Sequence, residues 1–235
     1  MLKKETKASL DAAKSNGWVL EPDAKALLRS YGIDVPRFTW AVNQEEALQF
    51  VREHGYPVVA KVVSPKILHK SDMGGVVTGI DNDERLQNTF QRFSRMEAFE
   101  GMLIEEMVSG IELMIGAKVD EQFGPIILFG MGGTAVEIYK DTVLRMAPLQ
   151  KRDVSSMIKD LKAHPLLEGY RGSKPVNREA LTKALLAFSD LVMDMHEFIE
   201  SIDLNPVFCS PQQCVVADAR IMLKSNETGT TPRAS

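Results

Sequence analysis

Apolar positions along this 235-residue chain change period repeatedly. Spacings of three and four residues give way to short continuous or alternating apolar runs, so helices and strands are expected to interleave. The stretch "EPDAKALLRSYGIDVP" (21–36) reads as a helix: Pro22 suits its first turn, Ala26, Leu27 and Tyr31 share a face, and Gly32 closes it. "RFTWAV" (37–42) is a short strand. "NQEEALQFVREHG" (43–55) is a second helix, with Asn43 as N-cap, an acidic first turn and Gly55 at its end. "YPVVAKVV" (56–63) has the β-branched character of a buried strand, and "GGVVTGI" (74–80) is another strand.

The same alternation continues downstream. "NDERLQNTFQRFSRM" (82–96) is helical by period. "MLIEEMV" (102–108) and "IELMIGAKVD" (111–120) flank Ser109–Gly110 as two neighbouring strands, and "GPIILFGMGG" and "EIYKDTVLRMAP" supply two more. "KRDVSSMIKDLKAHPLLEGY" is helical until His164–Pro165 breaks it. "NREALTKALLAFSDLVMDM" is a long amphipathic helix, and "IESIDLNPVFC" with "QCVVADARIML" closes the chain as a hairpin-like pair. The mixture predicts α/β or α+β architecture with antiparallel hairpins. A seam falls near residue 100, with a hinge at "IEEMV" between two lobes.

Composition narrows the class. Hydrophobic residues are 44% and charged residues 26%, an ordinary globular balance. The net charge of −4 argues against nucleic acid as a partner, so an anionic ligand needs a local cluster of cations or backbone N–H groups. No apolar run approaches the ~20 residues needed to span a bilayer, and residues 1–18 lack the apolar core of a signal peptide. These features predict a cytoplasmic protein. Cys209 and Cys214 are then expected as free thiols, since neither sits in a metal-spaced set. The polar tail "SNETGTTPRAS" (225–235) reads as a frayed terminus.

Chemistry gathers in four places. Lys61 interrupts a buried strand, either as a snorkelling edge residue or as a cation aimed at an anion in a cleft. "SPKILHKSDMGGV" (64–76) sets Lys66, His69 and Lys70 ahead of Gly74–Gly75. His69 there is an ordinary loop histidine, a phosphate-binding donor or a phosphoryl-carrying nucleophile, and the glycine pair is a tight turn or an anion-binding nest. A second glycine cluster holds Gly130, Gly132 and Gly133, and neither loop fits a P-loop or Rossmann fingerprint. "IDLNP" places Asp203 and Asn205 on one side of a strand, with Asp218 on the next. They are hard oxygen ligands suited to Mg²⁺, or else turn and surface residues. Glu105, Glu106 and Glu112 lie among apolar residues, so one of the first two can face a cleft while the other faces solvent. His54, His164 and His196 read as structural.

Together, "EPDAKALLRSYGIDVP", "YPVVAKVVSPKILHKSDMGGV", "MLIEEMVSGIELMIGAKVDEQFGPIILFGMGGTAVEIYKD", "RMAPL", "HPLLEGYRGSKP" and "IDLNPV" resemble the ATP-grasp (β) subunit of ADP-forming acyl-CoA synthetases, relatives of succinyl-CoA synthetase. The resemblance spans roughly residues 18–222. It implies an α+β ATP-grasp fold with nucleotide between two lobes: an N-terminal helical extension (1–20), a first lobe with the His69 loop (21–100), a second lobe with hinge and Mg²⁺ site (101–224), and the tail.

The resemblance also implies roles. Lys61 would contact phosphate, Glu105 to Val108, including Glu106, would form the adenine hinge, and Glu112 would face the ribose. Gly132, Gly133 and Arg145 would wall the phosphates, and Asn205 and Asp218 would hold Mg²⁺. His69 would carry a phosphoryl group to or from ADP/ATP, oriented by Asp203. Arg171 and Gly172 match the family pattern without a derivable role. A CoA-binding α subunit is expected as partner in an α2β2 assembly. Two other readings stand beside this one: a self-sufficient ATP-grasp carboxylate–amine ligase, which would not need His69 as nucleophile, and a non-catalytic nucleotide-sensing subunit.

Overall fold

The structure is a computed structural model that describes residues 10–11, 13–133 and 140–224. The expected N-terminal helix lies mostly outside the described residues, and the tail lies wholly outside them. Eleven strands and six helices follow in chain order among the described residues: β1 (Trp18–Val19), α1 (Glu21–Ser30), β2 (Phe38–Ala41), α2 (Gln44–His54), β3 (Val58–Val63), β4 (Val76–Ile80), α3 (Asp83–Phe93), β5 (Gly101–Glu106), β6 (Ile111–Asp120), β7 (Gly124–Met131), β8 (Thr142–Met146), α4 (Lys151–Asp160), α5 (His164–Leu167), α6 (Arg178–Met195), β9 (Ile199–Cys209), β10 (Cys214–Val216) and β11 (Arg220–Leu223).

Caps fix the helix starts where the sequence places them. Asn43 accepts the Glu46 N–H at 3.0 Å, Asn82 the Arg85 N–H at 2.9 Å, and Asn177 the Ala180 N–H at 2.9 Å. Pro165 corrects one expectation. Leu161 is extended and ends α4, and Pro165 then occupies the first turn of the short α5, where its missing N–H costs nothing.

Two antiparallel sheets form two lobes. The smaller has the order β2-β5-β3-β4, and the larger β1-β11-β9-β6-β7-β8 with β10 also on β9. Alternation along β3 explains how the small lobe serves both a core and a cleft. Val58, Ala60 and Val62 join a buried cluster with Phe50, Leu86, Phe90 and Phe93 from α2 and α3, which leaves Val59 and Lys61 on the opposite face. The larger core packs α4 and α6 onto one face of the large sheet, through Val154, Met157, Leu185 and Phe188 against Ile115, Ile127, Phe129 and Leu204.

Lobe membership differs from the sequence boundaries. Residues 21–35 pack with the larger lobe: Ala24, Leu27, Leu28 and Ile33 join its core, and β1 pairs with β11. The small lobe extends through β5 to Glu106, because β5 lies between β2 and β3. β5 and β6 are therefore consecutive but sit in different sheets, and Met107–Gly110 is the crossing between lobes. The α1 face is also rotated from expectation. Ala26 is exposed, while Glu21, Ala24, Lys25 and Leu28 are buried.

The cysteine expectation is corrected too. β9 and β10 pair with Cys209 directly opposite Cys214, with Cα atoms 4.1 Å apart, and the two form a disulfide. Hairpin register places the two sulfurs together, which residue spacing alone does not reveal.

Candidate functional site

A cavity of 440 Å³ lies between the sheets. Four elements of the small lobe reach it: β3 through Val59 and Lys61, the 64–75 loop through His69 and Lys70, β4 through Val76 and Thr78, and the end of β5 through Glu105 and Glu106. Met107 and Val108 continue its wall along the interlobe crossing. From the large lobe come Asn205, Pro206 and Phe208 of β9, and Ala217, Asp218 and Arg220 beside it. Asp218 sits in the connector between β10 and β11, not on a strand.

Asn205 reaches the cavity through an irregular ladder. Pairing between β6 and β9 shifts at Leu113/Ile115, so Leu204 and Val207 both face the core with Asn205 and Pro206 between them. Asn205–Pro206 thus lies inside the strand and not in a turn.

The cavity's inner wall is ionic. Lys61 is 6% exposed. Its ammonium donates to Glu21 Oε1 at 2.7 Å and to the Ala217 carbonyl at 2.6 Å, and lies 3.0 Å from Glu105 Oε1 and 3.3 Å from Asp218 Oδ1. Lys25, fully buried, bridges Glu21 at 3.1 Å and also pairs with Glu105. Lys70 takes the other oxygen of Glu21. Three carboxylates and three ammonium groups therefore meet in one seam. Burial of this kind is tolerable only because each charge is paired.

Burial alone would raise the Glu21 carboxyl, but Lys61, Lys25 and Lys70 outweigh it and hold it well below the usual range. Lys61 is held well above its ordinary value, since Glu21, Glu105 and Asp218 overcome its own desolvation. Asp218 is pushed up to about 6, by burial first and then by Glu21, against the pull of Lys61 and Lys70. Of the two adjacent glutamates, Glu105 turns into this seam, and Glu106 bonds the Arg37 backbone N–H at 3.0 Å and its Nε at 2.8 Å.

Seven of the expected site residues line the cavity: Lys61, His69, Glu105, Glu106, Val108, Asn205 and Asp218. Asp203 is one step away, opposite cavity-lining Arg220 in the β9–β11 register, with its carboxyl raised by burial and lowered by that arginine. Glu112 lies opposite cavity-lining Phe208. The Gly132 N–H donates to the Glu112 carbonyl at 2.7 Å, and a Cβ on Gly133 would come within 3.0 Å of Glu112 Oε2. These three gather at the edge of the site.

Arg145 does not join them. It pairs across strands with core residue Ile127, on the helix side of the sheet, and bonds Ser156 at 2.7 Å and Asp160 at 2.5 Å. Sequence reasoning missed Glu21, Lys25 and Arg220. The one available signal was Lys61 itself, since a lysine in a buried strand demands a buried carboxylate.

Among the described residues, no cluster of three or more His, Cys, Asp or Glu could hold a metal unaided. Asn205 and Asp218 offer two hard oxygens on one wall, which fits Mg²⁺ that takes its remaining ligands from nucleotide phosphates and water. No helix among the described residues is long and apolar enough to cross a membrane.

Comparison with known proteins agrees with this fold. A family model for the ATP-grasp domain matches residues 11–223. The β subunit of ADP-forming acetate–CoA ligase I from Pyrococcus furiosus is 44% identical over 220 residues, which cover 90% of this chain and 94% of that protein. Among solved structures, ACD1 of Ca. Korarchaeum cryptofilum in complex with coenzyme A aligns with a TM-score of 0.86 at 42% identity, covering 93% of this chain and 99% of that one. A second structure from that organism is an acetyl-coenzyme A synthetase with coenzyme A and Mg-AMPPCP, its phosphohistidine segment pointing towards the nucleotide binding site. It aligns with a TM-score of 0.81 at 41% identity, covering 93% of this chain and 99% of that one. The chain, with its two lobes and the charged cleft between them, belongs to the ATP-grasp domain family.

Proposed function

We propose that this chain is the nucleotide-binding β subunit of an ADP-forming acyl-CoA synthetase, and that His69 carries a phosphoryl group to and from the adenine nucleotide. The observation that carries this reading is the shared cavity. His69, on a loop of the small lobe, lines the same space as Asn205 and Asp218 of the large lobe and the crossing at Glu106–Val108. The acyl-CoA chemistry belongs to a CoA-binding α subunit, in a cytoplasmic α2β2 assembly.

In the direction that consumes ATP, an imidazole nitrogen of His69 attacks the γ-phosphorus. The N–P bond forms as the bond to the bridging oxygen breaks, and ADP leaves with the electron pair. In the synthetic direction, a terminal ADP oxygen attacks phospho-His69 and returns the imidazole. A carrier of this kind splits one transfer between distant sites into two short ones. Mg²⁺ held by Asn205 and Asp218 would offset phosphate charge when bound. Lys61 takes a phosphate oxygen by giving up its longest contact, the 3.3 Å approach to Asp218. Glu106 to Val108 bound the adenine side, Glu112 the ribose, and Gly132 and Gly133 let backbone approach the phosphates. Asp203 orients the imidazole from behind Arg220.

The test uses the full chain with Mg-[γ-³²P]ATP. An alkali-stable, acid-labile label is expected, discharged by ADP and missing from His69→Ala. Label that persists in His69→Ala, or no label on the wild-type chain, overturns the reading.

A further inference from the structure

The ionic seam joins lobes as well as charges. Lys61, Lys70 and Glu105 belong to the small lobe, and Glu21, Lys25 and Asp218 to the large one. Glu21 is central to it. It is 1% exposed and lies behind the cavity wall, so it is not a substrate contact. Its Oε1 holds Lys61 at 2.7 Å and Lys25 at 3.1 Å, and its Oε2 holds Lys70.

Lys70 follows His69 directly, and its side chain is only 11% exposed. It is fixed at both ends. Its carbonyl accepts the Gly75 N–H at 2.7 Å, which closes the base of the loop, and its ammonium reaches across to α1. Other polar contacts of the loop stay inside the small lobe: Ser64 donates to the Glu97 carbonyl at 2.7 Å, and Arg92 donates to the Gly74 carbonyl at 3.0 Å. Among the described residues, Lys70–Glu21 is the one ion pair linking segment 64–75 to the large lobe.

We propose that Glu21 is a positioning residue for His69, and that the Lys70–Glu21 pair is a latch which holds the loop against the nucleotide cavity and opens when the loop departs. This rests on the reading of His69 as the carrier. The arrangement makes release cheap. When Lys70 leaves, Glu21 keeps Lys61 and Lys25, so no buried carboxylate is stranded. The departing ammonium travels beside the phosphorylated imidazole as its counter-charge.

Two measurements on the full chain decide it. The first is the acetylation rate of Lys70 by acetic anhydride, read by mass spectrometry, with exposed Lys66 as internal reference. Lys70 is expected to react about tenfold slower than Lys66 in the wild type, a factor that corresponds to about 1.4 kcal/mol of pairing. In Glu21→Gln the two rates should converge. Equal rates in the wild type, or no change in Glu21→Gln, overturn the latch. The second is single-turnover labelling of His69 at saturating Mg-ATP. Glu21→Gln is expected to slow it about tenfold, by the same energy; saturation keeps any change in nucleotide Kd, which Glu21 can make through Lys61, out of that rate. An unchanged rate, or a loss confined to Kd, overturns the positioning role. If Glu21→Gln does not fold, Lys70→Met and Lys70→Arg replace it. The arginine variant should keep the transfer rate and the methionine variant lose it, and equal rates would refute the latch. Absence of label on the wild-type chain strikes the carrier reading instead, and the acetylation result stands apart from it.

Discussion

Removing Lys25 tests whether the seam is a balanced set of charges. Lys25→Met replaces a fully buried ammonium with an apolar side chain of similar length, and leaves Glu21, Glu105 and Asp218 facing only Lys61 and Lys70. One buried negative charge is then in excess. The cheapest relief is for Asp218, already pushed up to about 6, to bind a proton. Each pH unit above that value costs about 1.36 kcal/mol for that proton, so the penalty is about 1.4 kcal/mol at pH 7 and close to nothing at pH 5. The sign follows from linkage. In the wild type, Glu21 is held below 4.5, so its contribution is present above that pH and is lost as pH falls through the folded value. In the variant the folded state keeps a proton that the unfolded chain releases, so its stability falls as pH rises. Urea unfolding at pH 5 and pH 7 measures both. The two tryptophans, Trp18 in β1 of the large lobe and Trp40 in β2 of the small one, report on each lobe. Lys25→Met/Glu105→Gln should recover most of the loss, because charge balance returns. A loss that is equal at the two pH values, or under about 1 kcal/mol at pH 7, would refute charge balance as the reason these groups can be buried.

Other parts of the molecule give sharper local tests. A Cβ on Gly75 would sit 2.5 Å from Val62 Cγ1 and 3.1 Å from the Lys70 carbonyl, so Gly75→Ala should cost about 1–3 kcal/mol in thermal or urea unfolding; full stability would mean the loop base is not packed this closely. Arg145 and Asp160 are 34% and 50% exposed, so Arg145→Met should cost at most about 1 kcal/mol, with nucleotide affinity by calorimetry unchanged. A tenfold loss of affinity would return Arg145 to the phosphate wall. With the Cys209–Cys214 disulfide intact, thiol titration of the unfolded chain should find no free thiol until reductant is added. Removing the bridge, which closes a separation of only 5 residues, should cost about 2 kcal/mol.

The elements were legible in the sequence because their signals are local. Asn43, Asn82 and Asn177 cap the helices from positions fixed by three-residue spacing, and β3 announces itself by its β-branched run. Lobe membership was legible only in part. The hinge expected at "IEEMV" overlaps the crossing after Glu106, but the spacing of β5 and β6, which reads as two neighbouring strands, does not show that they sit in different sheets. β5 falls between β2 and β3 through pairing with residues about forty to seventy positions earlier, such as Ala60 with Ile104 and Phe38 with Glu105. The disulfide failed for a related reason, since it follows from β9–β10 register and not from cysteine spacing. Arg145 was closer to being readable: it shares strand parity with Val143, whose side chain packs against the larger core.

The site shows where pattern reading runs out in principle. The rule that apolar positions mark the buried face grouped Ala26 with Leu27 and Tyr31, yet Ala26 is exposed and Glu21 and Lys25 are buried. That rule holds when a charge has only water to pair with. Here Glu21 meets Lys61, 40 residues on, and Lys25 meets Glu105, 80 residues on, and neither pairing exists until both lobes are folded and apposed. The inference from Lys61 alone could therefore demand a buried acid without selecting which. It follows that α1 does more than fill the core of the large lobe. Through Glu21 it holds the strand lysine and the loop lysine beside His69 with one carboxylate, so the geometry of the cleft depends on a helix that never touches it.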